Sequence, residues 1–256
     1  MVKLHIQKRQ IMKKFISLST SSQNALKIAQ ISSTLPVNIL VTGENGVGKK
    51  ILIQEIFPNL QVFNGQKLEK MIFHKKINLD SFNTIVIYEI DALINKKDFF
   101  EKLRKIRVIA TSRKELNEIS TFFPVKITIE PLKNRKEDLD ELINLYSNDA
   151  KKIYNCDIKI DDIKIDISQN GITLKQSIYE SILLKSLTKD ELIDTMQDFF
   201  TREFENKQTT YKKLLEIFEI AILKSAKKIY KSQLQMALKL GINRITLRKK
   251  LEQYGE

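Results

Sequence analysis

The sequence predicts an α/β protein in which helices flank a parallel sheet and helical segments follow. Short runs of β-branched residues alternate with helical segments through the first half of the chain, a rhythm typical of parallel sheets. One junction between a strand and a helix is a glycine-rich turn that ends in lysine. From Asn134 onward, most apolar residues recur at helical spacing. The second half of the chain is therefore predicted to be mainly helical.

Five apolar runs predict the strands of the sheet. They cover residues 37–42, 61–63, 84–90, 108–111 and 126–129. The run at 84–90 is apolar at almost every position, as expected for a strand covered on both faces. Two helices are predicted in this half, over residues 21–31 and 97–105. The first is expected to be capped by serine and to direct these side chains inward: Ala25, Ile28, Ala29 and Ile31.

The glycine-rich turn has the pattern of a phosphate-binding loop. A complete G-x-x-x-x-G-K sequence runs from Gly43 to Lys49, between a predicted strand and a predicted helix. Glycines let backbone N–H groups approach a polyphosphate, and the lysine adds a positive charge. We therefore predict ATP as a ligand of these residues: Gly43, Glu44, Asn45, Gly46, Val47, Gly48, Lys49 and Lys50. The alternative is a glycine-rich turn that binds nothing.

The second half is predicted to contain two helical parts. One helix is expected over residues 135–153, with Leu139, Leu142, Ile143 and Tyr146 on one face, and others over 174–187 and 189–200. Between them, isoleucine alternates with lysine and aspartate over residues 157–171, which fits either a solvent-facing hairpin or a poorly packed insertion. The polar stretch 201–210 is the predicted linker. We expect an α/β core over residues 1–133, a helical lid subdomain over 134–205 and a C-terminal domain over 206–256.

The C-terminal stretch predicts a basic helix-turn-helix. A long helix from Tyr211 is followed by a helix that ends at Gly241 and a last helix from about Asn243. Ala237 and Gly241 have the small-residue and turn-glycine spacing of such motifs. Residues 227–256 carry eight Lys or Arg and two Glu, a formal excess of six positive charges. An apolar stripe runs along the long helix: Tyr211, Leu214, Leu215, Phe218, Ala221 and Ile222. The alternative is a helical hairpin with a lysine-rich face.

Composition bounds the partners and the compartment. The formal net charge is +13, which favours a polyanionic partner. A single cysteine excludes an intrachain disulfide, and with two histidines it leaves no clustered zinc site. No apolar run has the length of a signal-peptide core or of a membrane span. A cytoplasmic protein without a membrane partner is therefore expected.

Several of these motifs together resemble the bacterial enhancer-binding proteins, the AAA+ activators of sigma-54 RNA polymerase. Residues 240–251 resemble the Fis-type helix-turn-helix that closes those proteins. Residues 42–49 resemble their Walker A loop, 84–90 their Walker B strand, and 109–113 their sensor strand. Residues 123–139 are similar to their entry into the helical lid. The resemblance implies a P-loop AAA+ core, a helical lid and a C-terminal DNA-binding domain.

The resemblance also implies the partners. The last helix is expected to enter the major groove of duplex DNA, and the apolar stripe to pair two chains as a homodimer. A higher oligomer and RNA polymerase are further candidates. The predicted DNA-contacting residues are Asn243, Arg244, Thr246, Arg248, Lys249 and Lys250.

Departures from the family pattern change the expected activity. Lys50 replaces the Ser or Thr that contacts magnesium, and Tyr88 replaces the Walker B aspartate, which argues against Mg²⁺ as a cofactor. Ser112 replaces the sensor asparagine, and no arginine lies between Arg113 and Pro124. Asp190 aligns with the sensing arginine of the lid. The sigma-contacting loop is missing, and we expect no receiver domain before the core.

These features predict a sequence-specific DNA-binding transcriptional regulator whose core binds ATP but hydrolyses it poorly or not at all. Two alternatives remain open from the sequence. The first is an active ATPase that remodels a transcription complex through Glu89 as catalytic residue, with Asp91 as a magnesium ligand. The second is an architectural DNA-binding protein whose core only dimerises.

Overall fold

The computed structural model describes residues 14–159, 163–205 and 210–255. The chain divides into two compact units, residues 1–186 and 187–256, each of which is described by itself below. The predicted division at residues 133/134 and 205/206 stays a prediction. No helix among the described residues combines the length and the apolar character that crossing a membrane requires.

The first unit is built on a five-stranded parallel sheet. Its strands are β1 (Ile39–Thr42), β2 (Gln61–Asn64), β3 (Thr84–Tyr88), β4 (Arg107–Ser112) and β5 (Val125–Thr128). They lie in the order β2-β3-β4-β1-β5, and every pairing is parallel. Thr42 is in register with Ser112, and Asn64 with Tyr88. The carboxyl ends of the central strands therefore lie side by side, at the edge where open α/β sheets bind ligands.

Side chains alternate between two cores, one on each face of the sheet. Leu40, Ile85 and Ile87 belong to one core, whereas Val41 and Val86 belong to the other. This double burial confirms the prediction that the run 84–90 is covered on both faces. The helices of this unit are α1 (Thr20–Ser33), α2 (Lys49–Ile56), α3 (Gly65–Phe73), α4 (Lys96–Glu101), α5 (Lys136–Tyr154) and α6 (Gly171–Ser186).

The inner face of α1 differs from the predicted one. Ala25 and Ala29 are buried, as predicted, but Ile28 is 43% exposed and Ile31 is 57% exposed. Small side chains line the buried face of the helix, and this places the isoleucines on the outside. Ser19 occupies the N-cap position of α1, but it forms no capping hydrogen bond, because its hydroxyl bonds to Asp138.

The lid helices α5 and α6 enclose a core of their own with the irregular segment between them. Ile163 is buried in this core, and Ile158 and Ile167 pack against it. The described residues between α5 and α6 form no strand, and residues 160–162 lie outside the described part of the chain. The described part of the segment forms no hairpin and is well packed, since Ile158, Ile163 and Ile167 belong to this core, whereas Ile165 is 40% exposed.

The described residues of the second unit form four helices. They are α7 (Lys189–Glu205), α8 (Tyr211–Ile229), α9 (Gln233–Leu240) and α10 (Arg244–Tyr254). The predicted linker at 201–210 is wrong over residues 201–205, which continue α7, and its residues 206–209 lie outside the described part of the chain. A ring contact between Phe200 and Phe218, with centroids 5.5 Å apart, joins α7 to α8. A separate apolar core joins α8, α9 and α10, with Leu223, Met236 and Leu247 among its buried members.

Candidate phosphate-binding loop and nucleic-acid interface

The predicted phosphate-binding loop joins β1 to α2 at the carboxyl edge of the sheet. Gly43, Gly46 and Gly48 have φ angles of 141°, 77° and 108°, which favour glycine. A Cβ on Gly43 would lie 2.4 Å from the carbonyl oxygen of Ile129, and one on Gly46 would lie 2.2 Å from that of Gln169. Both close approaches to the backbone exclude any side chain at these two positions.

The segment before α6 holds the loop from one side. Asn170 is 2% exposed and donates from Nδ2 to the Asn45 carbonyl at 2.9 Å and to the Glu44 carboxylate at 3.0 Å. The backbone N–H of Gly171 donates to the Gly46 carbonyl at 3.1 Å. The start of α6 is thereby tied to the loop. No motif in the sequence indicated Asn170.

A buried ion pair holds the loop from a second side. Arg135 and Asp138 have side chains that are 2% and 0% exposed, and their Nη1 and Oδ2 atoms are 3.2 Å apart. Arg135 also donates from Nη2 to the Val47 carbonyl at 2.8 Å. Asp138 accepts hydrogen bonds from the Ser19 backbone N–H at 2.9 Å and from the Ser22 hydroxyl. The pair therefore links the loop, α1 and α5, although the sequence assigned no role to Arg135 within the matched stretch 123–139.

The side chain of Lys49 folds back onto the loop. Its Nζ donates to the carbonyl of Gly43 and, at 2.7 Å, to that of Glu44. Burial lowers the pKa of Lys49 to about 8, while the carboxylate of Asp91 acts in the opposite direction. An ammonium held by two carbonyl groups can exchange them for phosphate oxygens without leaving the loop.

Lys50 and Glu89 form an ion pair beside the loop. Lys50 Nζ lies 2.7 Å from Glu89 Oε1, and Asn64 Nδ2 donates to Glu89 Oε2 at 3.0 Å. The same Nζ lies 5.0 Å from the ring centroid of Tyr88, whose buried hydroxyl has no hydrogen-bond partner among the described residues. Burial raises the pKa of Tyr88, so its phenol stays neutral. Tyr88 and Glu89, at the end of β3, therefore meet the ammonium group of Lys50, which lies 39 positions from Glu89 in sequence.

The residues present do not fit a magnesium ion. Mg²⁺ prefers oxygen ligands, usually one or two carboxylates with water and phosphate, and positions 50 and 88 offer an ammonium and a neutral phenol. Asp91, the magnesium ligand considered for an active ATPase, pairs with Arg113 through an Nε–Oδ2 distance of 2.6 Å. Within residues 14–159, 163–205 and 210–255, no cluster of three His, Cys, Asp or Glu residues could hold a metal.

The sensor position at the end of β4 is engaged in its own turn. Ser112 is 1% exposed, and its hydroxyl donates to the Lys114 carbonyl at 2.6 Å. The same hydroxyl accepts a hydrogen bond from the Lys114 backbone N–H at 3.2 Å. Because a serine hydroxyl has a single proton to donate, it has none left to orient a water molecule at the loop.

A small cavity adjoins the loop where it faces α5. Its volume is about 30 Å³, and Phe15 and Gly48 line it together with Leu142 and Tyr146 of the lid. Phe15 is 3% exposed, and a Cβ added to Gly48 would lie 3.0 Å from its ring. Pockets that hold small molecules usually measure roughly 300–1,000 Å³. Phe15 therefore fills space beside the loop, and nothing in the sequence pattern pointed to it.

The second unit contains the predicted helix-turn-helix. Gly241 ends α9 with a φ of 67°, and the backbone N–H of Ile242 donates to the Ala237 carbonyl at 3.1 Å, which closes a Schellman turn. Ala237 is buried against Leu247 of α10 in the shared core. Asn243 caps α10, because its Oδ1 accepts from the Thr246 backbone N–H at 2.7 Å. The small residue and the glycine therefore serve the roles predicted from their spacing.

The predicted DNA-contacting residues differ in their surroundings. Arg244, Arg248 and Lys249 are exposed at the surface of α10, and Arg248 pairs with Glu252 at 2.8 Å. Lys250 instead pairs with Glu219 of α8, where Glu219 Oε2 also accepts from the Tyr254 hydroxyl at 2.6 Å. Lys250 and Asn243 thus have structural partners, as an ion pair and a helix cap. Ile245, which belongs to no predicted site, is 71% exposed beside Arg244.

An apolar stripe stays exposed on α8. Tyr211 is 76% exposed, Leu215 42%, Ile222 52% and Ile229 70%. These residues, called the α8 stripe below, lie four and seven positions apart and so share one face of the helix. Leu214, which the sequence placed in the stripe, is buried within the unit, and Phe218 contacts Phe200. The predicted stripe is therefore split between an internal face and an exposed one.

Comparison with known proteins identifies the fold. No protein-family model matches the chain, and no curated protein sequence matches it. A structure of NtrX from Brucella abortus in complex with ADP is similar, with a TM-score of 0.56 and 14% identity, over 96% of this chain and 70% of that chain. A structure of the same protein in complex with ATP has a TM-score of 0.51 and 13% identity, over 98% and 71%. The predicted P-loop AAA+ α/β fold is thereby confirmed.

Proposed function

We propose that this AAA+ chain is a sequence-specific DNA-binding transcriptional regulator whose core binds nucleotide without appreciable hydrolysis. The observation that carries the proposal is the helix-turn-helix of the second unit. Its last helix, α10, exposes three cations around the helix start and centre, and residues 227–256 carry an excess of six positive charges. Such a surface fits the phosphate backbone and the major groove of duplex DNA.

The surroundings of each side chain suggest which residues of α10 contact DNA and which hold the helix in place. Arg244 and Arg248 lie four positions apart on one face of α10 and can donate to base edges or phosphates, and Ile245 is available for an apolar contact with a thymine methyl group. Thr246 is half-buried and lies on another face of the helix. Lys249 fits a phosphate contact. The exposed pair of Arg248 with Glu252 is no obstacle, because exposed ion pairs contribute only about 0–1 kcal/mol. Asn243 and Lys250 act chiefly by fixing α10 in place.

The α8 stripe supports a homodimer. A dimer presents two copies of α10 and so reads a two-fold related site. Ile222→Asp is expected to shift the protein to a monomer at micromolar concentration, because a charge would be buried in the paired face. Size-exclusion chromatography with light scattering measures the change.

Ile217→Asp is the matched control for this prediction. Ile217 is 44% exposed on the same helix but lies outside the stripe, so its variant is expected to keep the oligomeric state of the wild-type protein. A dimer that survives Ile222→Asp would exclude this face as the interface.

Nucleotide binding by the core is supported by the loop geometry and by Lys49. The glycines turn the loop backbone as a phosphate cradle requires, and the Lys49 ammonium is already at the loop. The similar NtrX structures are complexes with ADP and ATP. The filled space at Phe15 implies weak binding until this side chain moves.

Phe15→Ala is expected to tighten ADP binding roughly tenfold. A tenfold gain corresponds to about 1.4 kcal/mol, which at ~25 cal/mol/Å² requires a base to bury on the order of 60 Å² of additional apolar area in the opened cavity. Isothermal titration calorimetry measures the affinity. Phe99→Ala is the control, since Phe99 is equally buried at 3% exposed but lies in the core on the other face of the sheet. An ADP affinity unchanged by Phe15→Ala would show that the base does not enter this space.

The proposed function is tested most directly by genome-wide capture of DNA fragments with the purified protein. Captures are run with ATP, with ADP and without nucleotide. Enrichment of a common sequence is the expected result, and a change of enrichment with nucleotide would couple the core to the reading unit. Recovery of fragments in proportion to their length, with no shared sequence, would favour the architectural alternative instead.

A further inference from the structure

The place where a P-loop protein normally holds magnesium is built differently in this chain. Two positions usually supply the ion's protein contacts, a hydroxyl after the loop lysine and a carboxylate at the end of the Walker B strand, which corresponds to β3 here. Here those positions are Lys50 and Tyr88, which approach each other through the Lys50 ammonium, 5.0 Å from the ring centroid. The departures from the usual P-loop pattern at positions 50 and 88 therefore lie at one place in the structure.

The chemistry of this feature favours a monovalent ammonium over a divalent ion. An aromatic ring attracts a cation over its face but offers no oxygen ligand from a buried, neutral phenol. A fixed ammonium also repels a second cation placed within a few ångströms. Glu89, the remaining carboxylate, is already matched by Lys50 at 2.7 Å and by Asn64 at 3.0 Å.

The ion pair is free to exchange its anion. The side chains of Lys50 and Glu89 are 53% and 51% exposed, so solvent screens their attraction and the pair contributes little to stability. A phosphate group carries more charge than a carboxylate and can displace it from the ammonium. Lys49 is the preceding residue, and its ammonium lies on the loop carbonyls. A phosphate chain in the loop would therefore have two cations beside it.

We propose that the Lys50 ammonium takes the place of magnesium, so that the loop binds the diphosphate of a nucleotide without a divalent cation. The inference rests on the nucleotide binding proposed above. Lys49 and Lys50 neutralise the diphosphate from two sides, and the loop N–H groups complete the cradle. Glu89 is released from Lys50 when the phosphate enters.

The test compares ADP binding in excess EDTA and in millimolar Mg²⁺ by isothermal titration calorimetry. Wild-type affinities are expected to agree within about threefold, and Lys50→Met is expected to lower the EDTA affinity by at least about tenfold. Lys27→Met, at an exposed lysine of α1, is the matched control and is expected to bind like the wild type. The double variant Lys50→Thr/Tyr88→Asp restores the usual contacts and is expected to make binding depend on Mg²⁺.

Three results would overturn the inference, and they are distinguishable. Wild-type binding that requires Mg²⁺ refutes the replacement of the ion but leaves nucleotide binding intact. Metal-free affinity that survives Lys50→Met refutes the role of this ammonium. Absence of ADP binding under both conditions refutes the proposed nucleotide binding itself. If the double variant does not fold, Lys50→Thr alone still reports whether the metal-free affinity depends on the ammonium.

Discussion

Replacing Arg244 and Arg248 together with alanine is expected to weaken binding of a captured duplex by at least about 30-fold. Each arginine that contacts a base or its phosphate contributes roughly 1–3 kcal/mol, so the pair accounts for about 2 kcal/mol or more. Both side chains are exposed on α10, and neither belongs to the core of the second unit, so the fold should survive. Electrophoretic mobility shift at fixed salt measures the effect.

The control for this double variant removes the same charge elsewhere in the unit. Lys212→Ala/Lys213→Ala also deletes two exposed cations, but at the start of α8. We expect a small loss of affinity that disappears at higher salt, because only long-range attraction is changed. Wild-type affinity in the arginine variant, or equal losses in both, would remove α10 as the reading helix.

ATP turnover is expected to lie at least about 10³-fold below the ordinary enzymatic rate of ~10 s⁻¹. The groups that would assist hydrolysis have other partners in the structure. The Ser112 hydroxyl is bonded to Lys114 and Asp91 is paired with Arg113, while Tyr88 supplies no carboxylate for a magnesium ion. No arginine between residues 113 and 124 could stabilise the transition state of a neighbouring subunit. Release of phosphate from ATP with Mg²⁺, followed over hours, measures the rate.

Lys49→Ala separates this prediction from contamination by another ATPase. A residual rate that is the same in the wild type and in Lys49→Ala does not come from this loop. A wild-type rate near 10 s⁻¹ that Lys49→Ala abolishes would establish the active ATPase alternative and contradict the prediction. Because ADP affinity is measured independently of turnover, failure of this prediction leaves nucleotide binding unaffected.

Local patterns in the sequence predicted those strands, helices and turns whose conformation is determined by residues close together in the chain. The strand, loop and helix around Gly43–Lys49 were predictable because glycine spacing and β-branched runs act over a few residues. The turn at Gly241 was predictable for the same reason. The inner face of α1 was not, since it depends on which partner the helix meets, and small side chains faced inward in place of Ile28 and Ile31.

The long-range contacts at the loop had no sequence signal. Arg135 reaches the Val47 carbonyl across 88 positions, and Asn170 reaches Asn45 across 125. Phe15 occupies the space beside Gly48 although it lies far from the loop in sequence. Lys250 matched the predicted basic surface by type, yet its pairing with Glu219 directs it to another helix. Such contacts depend on how the helices and strands pack. No local pattern in a single sequence indicates which distant residues will form them.

The sequence by itself determined the fold class, the glycine loop and the basic helix-turn-helix, because backbone conformation and charge follow from residue type and spacing. It also showed that positions 50 and 88 depart from the pattern of an ATP-hydrolysing site. Only the tertiary structure decided that these two departures meet, since the end of β3 lies one strand away from β1 and within reach of the Lys50 side chain at the start of α2. The physical reason is that the electrostatic attraction of an ammonium group depends on distances of a few ångströms. It does not depend on the 39 positions of sequence that separate Lys50 from Glu89.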